Sequence, residues 1–271
     1  MSRDSPKSVD PRAAATPFCK GGEFHMSLVE LEIVDSIAII SLNNPERHNA
    51  MGDKMDEEFF GILERLRTNK ELRVVIWRGN GRSFSSGRDL ADLGVRKPGV
   101  SDLDVIERGH YWTTLLYEFP VPIICALKGW VLGGQFERAL LCDIRVAGES
   151  ATMALPELEH GVITDSGGVA RLFQIGGVSL ALDLALTGRR ITAKQALEFG
   201  IVTRVVADDQ LDESVIEMAT LIASRPALAV RMIRENIQAL GNPDVVSTLR
   251  REKIAQSYVF SQRMMNNGDE N

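Results

Sequence analysis

Two glutamates follow turns of the kind that place acids beside main-chain donors. Glu137 comes three residues after the pair Gly133-Gly134, where an apolar strand-like run leads into a helix-like run. Amide groups at the start of a helix have no acceptor within it and carry positive potential, so they suit a developing negative charge. Glu157 follows a proline at a predicted turn. Both also have ordinary structural interpretations, since Glu137 would complement the helix dipole and Glu157 would be solvated.

Two further segments have residue types that suit a ligand site. The small residues Ser85-Ser86-Gly87 follow a predicted strand and would let a ligand approach the backbone closely. Asp165 lies at the mouth of a glycine-rich loop, just before Gly167-Gly168. It would serve either as a further acid or as the cap of the following helix, and capping is the preferred interpretation.

Composition excludes several classes of protein. The 271 residues carry a net charge of -6, which gives no electrostatic reason to bind nucleic acid or an anionic membrane. Cys19, Cys125 and Cys142 are odd in number, and neither they nor the four histidines have metal-ligand spacing, so no metal site is predicted. No secretory signal and no uninterrupted apolar run of the roughly 18 residues that cross a bilayer is recognised, which predicts a cytoplasmic protein.

Strand and helix patterns alternate along most of the chain. The sequence predicts strands near 29–33, 37–42, 74–77, 123–127 and 201–206, with helices near 51–66, 134–142, 179–187 and 192–199 and another ending near 118. Beyond 210 the pattern is helical only. This order predicts an α/β core followed by a helical part. The expected divisions are a disordered extension over 1–25, a core over 26–210 and a helical region over 211–271.

Taken together, the segments resemble the enoyl-CoA hydratase/isomerase, or crotonase, superfamily. Residues 85–90 are similar to its small-residue turn before Gly-x-Asp-Leu, and residues 132–143 to its glycine-rich turn, acid and apolar helix ending in Asp. Residues 156–172 resemble its Pro-Glu segment followed by Gly-Gly-x-x-Arg-Leu, and the same stretch resembles carnitinyl-CoA dehydratases. Weaker likenesses at 44–51, 186–190 and 196–202 extend the match over about residues 27–240.

The resemblance implies an acyl-CoA thioester as substrate, with CoA a part of that substrate and no separate cofactor. It implies that the main-chain amides of Ser86 and Gly134 bind the thioester oxygen as an oxyanion hole. Glu137 would activate the water that attacks the β-carbon, and Glu157 would deliver the proton to the α-carbon. The remaining expected substrate-binding residues are Arg47, His48, Ala50, Gly87, Arg88, Asp89, Leu90, Gly133 and Asp165.

Three departures from the family pattern affect the expected pocket. Gln135 and Phe136 replace small residues beside the acid and would narrow the acyl pocket. Arg88 replaces a small residue or tryptophan, and it would reach a CoA phosphate, the acyl group or only solvent. The usual C-terminal Glu-Lys-Arg-x-Pro-x-Phe ending, which contributes to the CoA pocket in many members, is not recognised.

The leading functional prediction is reversible hydration of a 2-enoyl-CoA to a 3-hydroxyacyl-CoA. A double-bond isomerase using Glu157 or Asp165 is the first alternative, and a non-catalytic paralogue of the same fold is the second. The resemblance also implies a spiral of repeated ββα units assembled as a trimer or a dimer of trimers, with 211–271 as the trimerisation region.

Overall fold

The computed structural model describes residues 27–92, 95, 98–241, 249–250, 252–258 and 260–261. The predicted extension over 1–25 lies outside these residues. Nine strands form a six-stranded sheet of order β1-β2-β3-β4-β6-β9 and a three-stranded sheet of order β5-β7-β8 in the described part of the chain. The strands are β1 Val29–Val34, β2 Ile37–Leu42, β3 Val74–Gly79, β4 Ile123–Leu127, β5 Trp130–Leu132, β6 Ile144–Gly148, β7 Thr152–Ala154, β8 Ile191–Thr192 and β9 Arg204–Val206.

The helices follow the strands in a regular order. They are α1 Asp53–Leu66, α2 Asp102–Tyr117, α3 Gly133–Leu141, α4 Gly168–Thr187, α5 Ala193–Glu198, α6 Leu211–Ala223 and α7 Ala227–Gly241. The residues described between 249 and 261 are also helical, and we refer to 252–258 as the C-terminal helical segment.

A repeating ββα unit organises the chain, as the family resemblance implies. β4 and β6 are parallel neighbours in the large sheet, and β5 and β7 are parallel neighbours in the small sheet. Along the chain, β4 and β5 are followed by α3, and β6 and β7 by α4. In the part of the chain before β4, Ser85 forms a single isolated β-bridge with Val131 of β5 in the small sheet. The predicted α/β class and ββα architecture are confirmed.

The large sheet is covered on both faces. Phe59 and Leu63 of α1 belong to the cluster that covers one face, and Val215 and Ala219 of α6 belong to the cluster on the other. Strands buried on both faces need continuous apolar runs, which is why β2, β3 and β4 are recognisable in the sequence. α6 therefore packs onto the sheet of its own chain, although it lies in the region predicted for trimerisation.

Helix α4 is longer than the sequence predicts. The sequence predicts a helix that starts near residue 179, whereas α4 starts at Gly168. The helix is broken at Gly177, whose φ is 74° and ψ -178°. The adjacent Gly176-Gly177 pair interrupts the helical periodicity and hides the first half. Among the described ranges, α4 is the one helix that is long and apolar enough to cross a bilayer. Only 17% of its most apolar stretch is buried inside the protein.

A buried arginine fixes the end of α3. Arg145 of β6 is 5% exposed. Its guanidinium donates to the carbonyl oxygens of Ala139 and Leu140 at 3.2 Å each and of Cys142 at 2.7 Å. Its Nε donates to the carbonyl of Ile201 at 2.6 Å. The last carbonyls of a helix lack an amide donor within it, so this one side chain supplies donors to buried acceptors at the end of α3. The Ala139 carbonyl also accepts from the amide of Cys142 at 3.2 Å.

Candidate active site

A cavity of about 180 Å³ opens at the N-terminal end of α3. Gly134, Glu137, Glu157 and Asp165 all line it, although they come from three separate segments of the chain. The ββα repeat brings them together because the small sheet carries β5 directly into α3 and β7 into the turn that contains Glu157. The structure thus unites four of the residues that the sequence singles out.

Glu137 lies in the second turn of α3 with its carboxyl group buried. The residue is 1% exposed, and its Oε2 accepts hydrogen bonds from the amides of Ser166 at 3.3 Å and Gly168 at 3.2 Å. Its Oε1 has no described hydrogen-bond partner. Burial, reinforced by the charges of Glu157, Glu252 and Asp165, raises the pKa of Glu137 well above its ordinary value. It is not in the first turn of α3, so complementing the helix dipole does not explain it.

Glu157 opens a short 3-10 helix, Glu157–His160, after Pro156. Both of its carboxyl oxygens are buried without a hydrogen-bond partner in the described part of the chain. Burial raises its pKa to about 7, so it is not the solvated turn residue of the ordinary interpretation. A Cβ added at Gly133 would come within 3.1 Å of Glu157 Oε1, which places this carboxyl group against the start of α3.

The two turns expected to form the oxyanion hole lie side by side. Leu132 donates its amide to the carbonyl of Ser85 at 3.1 Å, and a Cβ at Gly87 would come within 2.9 Å of the Leu132 carbonyl oxygen. Gly134 is in the first turn of α3, where amides have no acceptor within the helix. The amide of Ser86, in contrast, donates to the carbonyl of His48 at 2.8 Å. A substrate oxygen would have to share or replace that bond.

Asp165 does not cap α4, so the preferred sequence interpretation is wrong. The cap position belongs to Gly167, which has a φ of 74° and no side-chain capping bond. Burial raises the pKa of Asp165 to about 6, although the charges of Arg138 and Arg88 oppose the shift. Glycine occupies position 167 because a left-handed backbone conformation is costly for residues with a side chain.

Charged side chains other than the two glutamates and Asp165 also line the cavity. Arg138 and Asp56 form a buried ion pair at 2.6 Å. Arg88 pairs with Asp53, and with Asp56 at 3.4 Å, so its guanidinium is committed to protein carboxylates. Of the three alternatives for Arg88, contact with solvent alone is therefore wrong.

The two bulky replacements beside the acid differ in position. Gln135 lines the cavity, whereas Phe136 is completely buried in the hydrophobic core and is not among the lining residues. Of this pair, only Gln135 is placed to narrow the pocket.

Several predicted substrate-binding residues do not line this cavity. Arg47 forms an ion pair with Asp89 at 2.8 Å, and Nδ1 of His48 lies 2.8 Å from Oγ of Ser83. These contacts stabilise the turn that precedes the cavity. The residues outside the lining are Arg47, His48, Ala50, Ser86, Gly87, Asp89, Leu90 and Gly133.

The family model described as enoyl-CoA hydratase/isomerase matches residues 32–270. The chain belongs to this family, the crotonases. It is 34% identical over 200 residues to a probable enoyl-CoA hydratase of Bacillus subtilis, a match that covers 74% of this chain and 76% of the relative. It is 33% identical over 202 residues to the 2,3-dehydroadipyl-CoA hydratase of Escherichia coli, covering 74% and 78% of the two chains.

The fold of this crotonase is also that of solved enoyl-CoA hydratases. The enoyl-CoA hydratase of Bacillus anthracis superposes with a TM-score of 0.74 at 33% identity, covering 86% of this chain and 91% of that one. The family membership makes this chain a crotonase-type enzyme, whose acyl-CoA chemistry is common to the group.

Sequence reasoning missed the roles of four residues at the crotonase site. Ser166 and Gly168 supply the amides that hold Glu137, and Glu252 and Gln256 reach the same loop from the C-terminal helical segment. The last two contacts span 85 and 93 residues, so no local pattern reveals them. No group of three or more His, Cys, Asp or Glu arranged to hold a metal occurs in the searched, described residues.

Proposed function

We propose that this crotonase is an enoyl-CoA hydratase that adds water reversibly to a 2-enoyl-CoA. The observation that supports this most strongly is the pair of buried carboxyl groups, those of Glu137 and Glu157, which line one cavity beside the first turn of α3. Burying acids with unsatisfied oxygens costs several kcal/mol in general, so a site that keeps two of them favours acid–base chemistry.

The thioester oxygen would be held by main-chain amides. Gly134 is the stronger candidate, because it lies in the first turn of α3 and its amide has no acceptor within the helix. Ser86 would contribute by sharing its amide between the His48 carbonyl and the substrate. Each such donor typically lowers the barrier by about 3 kcal/mol when charge develops on the oxygen.

The two glutamates would move the protons. Glu137 takes a proton from water as the water oxygen bonds to the β-carbon, and Glu157 gives a proton to the α-carbon as the charge leaves the thioester oxygen. The reverse sequence removes water from a 3-hydroxyacyl-CoA.

Burial raises the pKa of both carboxyl groups, and the charge of Glu157 raises the pKa of Glu137 further. We therefore expect the pair to hold one proton over a range near neutral pH. This single shared proton lets one acid donate while the other accepts.

A double-bond isomerase is the second candidate, and Asp165 favours it. Its carboxyl group does not cap α4, it lines the same cavity, and its pKa is raised to about 6. An acid with that pKa near Glu157 would relay a proton between the α- and γ-carbons of a 3-enoyl-CoA without using water.

Two substrates distinguish the candidates. The hydratase consumes crotonyl-CoA with loss of enoyl absorbance, and Glu137→Gln abolishes this activity while Asp165→Asn retains most of it. The isomerase moves the double bond of a 3-enoyl-CoA, incorporates no ¹⁸O from labelled water, and depends on Asp165. Turnover of neither substrate by the wild-type enzyme would reject both candidates for short acyl chains.

We further propose that the enzyme works as a homo-oligomer in the cytoplasm, as a trimer or a dimer of trimers. Supporting this, α4 exposes Phe173 and Leu182, and α7 exposes Ile233 and Ile237, each more than half accessible in the single chain. Apolar surface of that extent on helices is typical of subunit contacts.

A further inference from the structure

Two buried polar side chains connect the C-terminal helical segment to the loop at the cavity. Glu252 is 8% exposed and Gln256 is 3% exposed. Oε2 of Glu252 accepts a hydrogen bond from the amide of Gly167 at 3.0 Å, and Oε1 of Gln256 accepts one from the amide of Ile163 at 3.2 Å. The segment thus binds the loop over 163–167 by its main chain, and Gln256 also lines the cavity.

The same loop holds the Glu137 carboxyl group. Of three consecutive amides, those of Ser166 and Gly168 donate to Glu137 Oε2, and the middle one, from Gly167, donates to Glu252 Oε2. A Cβ added at Gly168 would lie 2.4 Å from the Cα of Glu137, so the loop and α3 are in direct contact. A displacement of Gly167 therefore moves both amides that orient Glu137.

We propose that Glu252 is a positioning residue for the hydration reaction: by anchoring the Gly167 amide, it keeps the amides of Ser166 and Gly168 on the Glu137 carboxyl group. This inference rests on the proposed function, in which Glu137 exchanges a proton with water. It assigns part of the region after residue 210 to the active site, in addition to any role in assembly.

Glu252 also acts on Glu137 through its charge. It is one of three negative groups that raise the pKa of Glu137, and the amide of Ser166 opposes them. The ionisable side chains that line the cavity with this carboxyl group or act on its pKa are Asp53, Asp56, Arg88, Asp92, Arg108, His110, Arg138, Glu157, Asp165 and Glu252. Removing the charge of Glu252 lowers the pKa of Glu137, so this group releases its proton at lower pH.

Two substitutions separate anchoring from charge. Glu252→Gln keeps a carbonyl oxygen that accepts from Gly167 but removes the charge, whereas Glu252→Ala removes both. Glu217→Gln, an exposed change on α6, is the matched control for loss of a negative charge.

For crotonyl-CoA hydration, we expect Glu252→Gln to shift the kcat–pH profile to lower pH by about 0.5 to 1 unit. We expect Glu252→Ala to lower kcat by about 10- to 100-fold, because misplacing a reacting group has effects of that order. Glu217→Gln should change neither quantity. Profiles and kcat values equal to wild type in both Glu252 variants would overturn the proposal.

Hydrogen–deuterium exchange provides a readout that does not require activity. Peptides covering 163–168 should exchange faster in Glu252→Ala than in wild type or Glu217→Gln, while peptides from β2 and β3 stay protected. Unchanged exchange over 163–168 would contradict the anchoring role. If the wild type hydrates no enoyl-CoA, the proposed function fails and exchange alone decides whether Glu252 holds the loop.

Discussion

At the scale of single residues, the site depends on carboxyl groups that the fold leaves poorly solvated. Glu137 has two amide donors on one oxygen, and Glu157 has no described partner on either. Natural proteins retain such costly arrangements mainly where they serve function. The proton-transfer role of each glutamate can therefore be tested by a separate substitution.

Replacing either glutamate by glutamine should abolish most of the hydration. We expect kcat to fall by about 100- to 10,000-fold in Glu137→Gln and in Glu157→Gln, because each loses a general acid–base group while its size is kept. Steady-state kinetics on crotonyl-CoA measures this, with the exposed neighbour Glu159→Gln as control. A Glu157→Gln enzyme as active as the control would remove Glu157 from the mechanism.

The raised pKa of Glu157 also predicts a pH-dependent stability. Its pKa is about 7 when folded and 4.5 ordinarily, so between these values the folded protein binds a proton that the unfolded chain releases. The free energy of unfolding therefore falls as pH rises through this range.

In Glu157→Gln, this pH-dependent decrease in the free energy of unfolding should be absent, because glutamine does not ionise. At pH 8 we expect the variant to be more stable than wild type by about 1 to 3 kcal/mol, with a smaller difference at pH 5. Urea unfolding at the two pH values tests this. A stability difference between the two proteins that is the same at both pH values would contradict the assigned pKa.

At the scale of elements, the close contact of α3 and α4 sets the geometry of Glu137. Gly168→Ala should lower both kcat and the unfolding temperature, since its Cβ would overlap the α3 backbone. Gly61→Ala in α1 is the control, because nothing lies within 4 Å of its added Cβ, and it should stabilise the protein by about 1 kcal/mol. An unaffected Gly168→Ala enzyme would mean that the two helices separate easily.

Elements with a strong local pattern were predictable, and those defined by distant contacts were not. β2, β3 and β4 follow from their apolar runs, and the glycine and acid positions of α3 follow from local chemistry. β5, β7 and β8 have only two or three residues each, which is too short for a periodic signal. The hydrogen bond from the Ser86 amide to the His48 carbonyl joins residues 38 positions apart, so no local sequence pattern predicts it.

At the scale of the whole molecule, the apolar faces of α4 and α7 predict self-association. We expect a homo-oligomer by light scattering, and we expect Ile233→Arg or Leu182→Arg to shift the protein to smaller species. Ile33→Arg, on the exposed side of the edge strand β1, tests whether another apolar surface contributes. A wild-type protein that is monomeric at micromolar concentration would contradict the prediction.

The guanidinium of Arg145 has a consequence for motion at the active site. By tying the last turn of α3 to β6 and to the backbone near Ile201, it prevents that helix from sliding along its axis. Glu137 therefore lies on a helix that is fixed at its far end. We expect adjustment to acyl groups of different shape in the other segments that line the cavity, such as α2 and residues 162–166. We therefore expect the α3 side of the cavity to stay in place while the other sides adjust to the substrate.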